Sequence, residues 1–266
     1  MFTTVVIVTV QPIGKYFSSS TYRENVKNGT ETYLQVVSSW VPFDKNTIPG
    51  YLAASLIQIY AAVYGGGWIT SFDTNSMVIM VFLRVELELL RRDCAKVFGS
   101  ELNPVSNDVA MKRLKECHRR HVELVKHAKI FDACLSPIML LYMLVCSIML
   151  CVTAYQITIE KNPMQRFLMA EYLVFGVAQL FMYCWHSNDV MYMSKDLTLG
   201  LYESTWWTRN VMIRKDLHIL TGQFKKTIVF SAGPFANLTV PTFISILKGA
   251  YSYYTLLNQS QIEKES

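Results

Sequence analysis

Residues 133–159 read ACLSPIMLLYMLVCSIMLCVTAYQITI, with no Asp, Glu, Lys, Arg or His among them. A helix needs about 20 apolar residues to cross the roughly 30 Å of hydrocarbon in a bilayer. A core helix of a soluble domain carries a polar face, usually with charges, and no charge interrupts this run. The stretch therefore predicts a transmembrane helix, span two of the chain, over Leu135 to Ile157.

Three further stretches repeat the signal. Between Lys45 and Arg84 the only residue of fixed charge is Asp73, from Phe167 to Asn188 it is Glu171, and from Thr227 to Ile262 it is Lys248. Composition agrees: 52% of the 266 residues are hydrophobic, 13% aromatic and 17% charged. We expect an all-α integral membrane protein crossing the bilayer four times. Span one starts near Tyr51 and runs to Leu83, long enough to protrude beyond the membrane. Gly65-Gly66-Gly67 in its middle predicts a close backbone approach or a kink. Span three covers about Phe167 to Met191. Gly233-Pro234 divides the last region, so one helix should end before it and another begin near Asn237 or Thr239.

Charge placement orients the spans, because Lys and Arg in short loops are retained in the cytoplasm. Of the 25 Lys and Arg residues, eleven fall between Arg84 and Lys129 and six between Lys195 and Lys226. Residues 84–131 are then a cytoplasmic amphipathic loop, with Leu114, Cys117, Leu124 and Ala128 at helical spacing. Residues 11–50 form an outer loop, and residues 207–260 the split last helix. The net charge of +5 is on this reading a topology signal and not a nucleic-acid footprint. Asn28-Gly29-Thr30 is a glycosylation sequon on the outer side.

No motif places a nucleophile beside an acid and a base, so the sequence predicts no enzyme and calls for no cofactor. Cys117, His118, His121 and His127 share a helical face, but Arg119, Arg120 and Lys126 would repel a metal cation, and no metal is expected. Lys248 is the sharpest lead, since a charge in hydrocarbon either snorkels to the interface or faces a partner or aqueous path. Span aromatics, Tyr60, Tyr64, Trp68 and Tyr172 among them, either pack between helices or line a pocket for a small apolar ligand.

Four segments carry a family resemblance. They are Trp40-Val41-Pro42-Phe43-Asp44, Tyr183-Cys184-Trp185-His186-Ser187-Asn188, Tyr202-Glu203-Ser204-Thr205-Trp206, and the run KGAYSYYTLLNQ at residues 248–259. In this order they resemble the insect odorant receptors. The resemblance implies a multi-pass bundle of the insect seven-transmembrane chemoreceptor type, with helices four to seven present and Met1 to Val10 as the tail of helix three, hence an N-terminally incomplete chain. It implies an odorant-gated, non-selective cation channel, built with a co-receptor subunit as a hetero-oligomer, a tetramer by expectation, in the plasma membrane of a sensory neuron. A small volatile odorant would be the ligand. The second half of the last helix would line the pore, which marks Leu256 and Ser260, one turn apart, as pore-facing. The alternatives are a gustatory receptor, whose C-terminal motif Ser252-Tyr253 and Gln259-Ser260 match halfway, and a small-solute transporter, which would show an internal repeat.

Overall fold

Prolines mark where three helices begin. Pro49, Pro163 and Pro241 each lie in a first turn, where a missing N–H has no intrahelical partner to lose. The computed structural model describes residues 14, 18–27, 47–99, 103 and 105–265, the last six of these by backbone alone. The elements are α1 (Ser20–Lys27), α2 (Ile48–Ala95), α3 (Asn107–Ile159), α4 (Pro163–Tyr202), a 3-10 turn (Trp206–Thr208), α5 (Val211–Phe224), a hairpin of β1 (Ser231–Ala232) and β2 (Ala236–Asn237), and α6 (Val240–Glu265). The sequon at Asn28, the Trp40–Asp44 motif and Met1–Val10 lie outside the described residues.

The chain divides at Thr74 into two compact units. In the first, Tyr22 and Val26 of α1 pack against the buried ring of Tyr51 at the start of α2. Among the described residues no backbone approaches the three glycines: a β-carbon at Gly65, Gly66 or Gly67 would meet no atom within 4 Å. The helix runs through them unbroken, with Thr70 Oγ1 donating to the Gly66 carbonyl at 2.8 Å.

The second unit, Asn75–Ser266, is a helical bundle whose core follows from the spacing of its apolar residues. Met80, Leu83, Leu87, Leu90, Cys94 and Val97 are buried at alternating steps of three and four. The same rhythm recurs in α3 through Ala110, Leu114, Cys117, His121, Leu124 and Ala128, and in α4 through Ser187, Val190, Ser194, Leu197 and Leu201. Such a stripe keeps one seam of each helix against its neighbours, and the small Ala, Ser and Cys members let the helices approach. Helix α3 packs on α4, α5 and α6, and α4 on α5 and α6.

The charged segment 84–131 becomes helical as continuations of α2 and α3, and not as separate helices lying under the membrane. No breaker occurs between Leu83 and Ala95, so span one simply continues, and α3 passes through Pro137 without ending. Ion pairs hold the continuations together. Arg120 of α3 bridges Glu86 at 3.2 Å and Asp93 at 2.5 Å on α2, and Arg84 of α2 reaches Asp189 of α4 at 2.8 Å. Arg209 ties the turn after α4 to the turn between α2 and α3, donating to the Phe98 carbonyl at 2.8 Å with its guanidinium 5.3 Å from the Phe98 ring.

Helices α2, α3 and α4 are long and apolar enough to cross a membrane. Helix α6, the fourth expected crossing, has 26 residues but lies outside that group. At 1.5 Å per residue it is about 39 Å long, so length is not its shortfall. Its Thr, Ser, Lys, Asn and Gln residues leave it without a stretch as apolar as the crossing segments of the other three.

Candidate functional site

Helix α6 is the element whose chemistry departs furthest from that of a lipid-facing anchor. Along its first half Thr242, Phe243, Leu247 and Ala250 are half-buried against the bundle, with the Phe243 ring 5.4 Å from that of Phe181 on α4. Ile244, Ser245, Lys248, Tyr251 and Ser252 fall on the opposite, exposed side. Helix periodicity produces that division, since steps of three and four return to one face. From Leu256 to Gln259 every side chain is exposed.

Lys248 and Leu256 therefore both project away from the described helices of the second unit, two turns apart, with Ser252 between them. Ser260 continues the helix, and its side chain is outside the described residues. Three hydroxyls of α6 are satisfied within the helix: Ser245 donates to the Pro241 carbonyl at 3.0 Å, Ser252 to the Lys248 carbonyl at 3.0 Å and Thr255 to the Ser252 carbonyl at 2.8 Å. A helix can carry such residues through a membrane because their protons stay paired with its own backbone.

The start of α6 is fixed by a clamp on α3. Ser231 N donates to Asp132 Oδ1 at 2.7 Å, and Ser231 Oγ lies 3.1 Å from each carboxylate oxygen. Gly233 N donates to Ser136 Oγ at 2.9 Å. Gly233 has φ of 63°, and a β-carbon there would lie 2.7 Å from Leu140 Cδ2. Asp132, Ser136 and Leu140 are four residues apart, so one face of α3 holds the whole hairpin. Sequence reading found the break at Gly233-Pro234 and missed this clamp. The available signal was Asp132 itself, the last charge before the uncharged run.

The aromatic candidates occupy different places. Tyr60, Tyr64 and Trp68 form a row along α2, with ring centroids 6.0 and 6.3 Å apart, and all three are exposed. Tyr172 on α4 is also exposed. Tyr183, by contrast, is fully buried, its ring 6.0 Å from that of Tyr142.

The face with Cys117, His118, His121 and His127 is split by burial. Cys117 and His121 point into the bundle, while His118 and His127 are exposed. Among the described residues no group of three or more His, Cys, Asp or Glu side chains could hold a metal ion. His121 packs its ring 4.6 Å from that of Phe224, and burial, with the charges of His118 and Lys226, pushes its pKa down to about 4. The Cys94 thiol, hydrogen-bonded to Cys117, is held above the usual range, and the same bond lowers Cys117. Lys96, Lys112, Arg113 and Arg120 surround a cleft of about 510 Å³ beside Cys117.

Three lipid-grade helices, a charged bundle made from their extensions and one more polar helix entering through a clamped hairpin define a multi-span helical membrane protein. The chain belongs to the 7tm odorant receptor family, whose model matches residues 2–251. It is similar to odorant receptor Or2 of Anopheles gambiae, 26% identical over 79% of this chain and 57% of that protein. Similarity to odorant receptor 10 of Aedes albopictus is 22% identity over 79% of this chain and 56% of that protein. The fold matches the insect olfactory receptor OR5 of Machilis hrabei, solved in complex with eugenol, with a TM-score of 0.76, 17% identity, and coverage of 97% of this chain and 65% of that one. This chain thus spans a little over half the length of the curated relatives it matches.

Proposed function

We propose that this chain belongs to the odorant-binding subunit of an odorant-gated, non-selective cation channel. It works with a co-receptor subunit, as a hetero-oligomer, in the plasma membrane of a sensory neuron. The charged ends of α2 and α3, with α5, face the cytoplasm, as the Lys and Arg distribution dictates. Helix α6 crosses the bilayer and lines the pore.

The observation that carries this reading is the polar character of α6, with Lys248 and Ser252 on the side left exposed among the described residues. Apart from a lysine that snorkels to the interface, a transmembrane helix turns such a side to water or to another subunit. A central pore between subunits supplies both. Leu256, on the same exposed side, is the apolar constriction of that path, and hydrophobic constrictions gate by excluding water. The ligand is a small apolar volatile, and the row of Tyr60, Tyr64 and Trp68 on α2 and, separately, Tyr172 on α4 are the aromatic contacts we assign to it. It opens the channel only as far as it binds the open arrangement more tightly than the closed one.

Expression of the full-length receptor with and without the co-receptor, followed by current recordings under volatile compounds, tests this. Odorant-evoked cation currents that require the co-receptor are expected. Substrate uptake without current, independent of the co-receptor, would overturn the channel reading.

A further inference from the structure

We propose that Asp132 is the positioning residue of the last helix: through Ser231 its carboxylate fixes the hairpin from which α6 starts, and so biases the arrangements α6 adopts. The consequence for gating rests on the channel reading above, whereas the clamp itself does not. Asp132 accepts the Ser231 backbone N–H at 2.7 Å, and Ser231 Oγ sits 3.1 Å from both carboxylate oxygens and 3.0 Å from Ser136 Oγ. Hydrogen bonds to an ionised carboxylate are stronger than neutral ones, and the surrounding dielectric falls where the uncharged part of α3 begins.

The clamp transmits position because little slack separates it from α6. Ser231 pairs with Asn237 across the hairpin, and Ala232 with Ala236. Leu238 is fully buried and donates its N–H back to the Phe230 carbonyl at 2.9 Å. Helix α6 begins at Val240. The other side of the hairpin is seated equally firmly, with the Phe230 ring edge-on to Phe131 at 5.3 Å. A shift of α6 along or across α3 must therefore strain or break the contacts at Asp132 and Ser136. No comparable polar joint is needed by α2, α3 and α4, which run on without a break.

Hydrogen–deuterium exchange on the purified full chain tests the clamp without recourse to current. In Asp132→Ala, amides of the hairpin and the first turns of α6 should exchange about tenfold or more faster, as expected for loss of charge-assisted bonds, while the interior of α4 stays protected. Asp132→Asn, which keeps the shape and one acceptor, should show a smaller effect and covers the case in which the alanine variant fails to fold. Unchanged exchange over residues 228–245 in both variants, or an increase spread evenly over all helices, would overturn the proposal. In co-expressed channels the same variants should shift the odorant concentration for half-maximal current, or the basal current, at matched surface level. Wild-type protein that gives no odorant current would defeat the channel reading and leave the exchange result to decide the clamp. Shifted exchange with unshifted gating would confine Asp132 to holding the hairpin and overturn its role in biasing α6.

Discussion

A β-carbon on Gly200 would collide with the backbone carbonyl oxygen of Arg91 and lie 2.9 Å from its Cγ, so α4 and α2 meet backbone against backbone at this point. The Arg91 guanidinium then reaches Glu203 at 2.6 Å, the residue that caps the end of α4. The glycine makes the contact possible, and the ion pair follows from it.

Gly200→Ala forces the two helices apart. Overpacking of this kind costs about 1–3 kcal/mol. The variant should show a lower thermal midpoint in detergent and reduced surface expression. Arg91→Ala, by removing a partly exposed pair and leaving the crossing intact, should cost less than about 1 kcal/mol. A Gly200→Ala protein as stable as wild type would contradict this crossing.

Gly233 is held at a positive φ against Leu140, so an added methyl group meets both backbone strain and a side chain. Gly233→Ala should lower the thermal midpoint. Adding Leu140→Ala should not restore it, because the φ penalty remains when the clash is relieved. Full restoration by the second change would mean that sterics alone set this position.

Arg120 joins two carboxylates of α2 and is half-buried. Arg120→Met should destabilise by about 1–3 kcal/mol, between the values for exposed and buried pairs. Of its partners, Glu86 is less exposed than Asp93 (28% against 54%), so Glu86→Gln should couple more strongly to Arg120→Met in a double-mutant cycle than Asp93→Asn does. Equal coupling, or none, would show that the pairs act as ordinary surface contacts.

His121 has a folded pKa of about 4, against 6.5 for the free side chain. Between these values the unfolded chain takes up a proton that the folded chain refuses. Stability is thus unaffected by this group above about pH 6.5, falls as pH drops from there to about 4, and loses nothing more below. The full effect is a few kcal/mol at about 1.4 kcal/mol per pKa unit. Thermal midpoints measured from pH 7.5 to 4 should decline less steeply in His121→Leu than in wild type. Parallel curves for the two would show that other groups govern the acid response.

Lys248 tests the pore assignment. A positive charge beside a cation path repels divalent ions more than monovalent ones. Lys248→Met should raise calcium permeability relative to sodium in the co-expressed channel. Unchanged selectivity would place the ammonium at a lipid or subunit interface instead.

Much of this architecture was legible because it depends on local composition. The uncharged runs and the Lys and Arg asymmetry are read one segment at a time, and membrane crossing is governed by the summed transfer energy of such segments. The motif run at residues 248–259 located the family for the same reason. Legibility failed where two distant segments had to meet. Gly65-Gly66-Gly67 has the composition of a close contact and makes none among the described residues, whereas the lone Gly200 makes one that no pattern announced.

The sequence by itself determined a multi-span helical membrane protein, the places of its apolar spans within helices that prove much longer, and its membership of the odorant receptor family. Tertiary structure alone decided that Asp132 and Ser136 hold the hairpin at Ser231 and Gly233, that Arg120 faces Glu86 and Asp93, and that Lys248 turns away from the bundle. Each of these depends on how helices are rotated and translated against one another. That register is set by the packing of whole buried stripes, and no single segment encodes it.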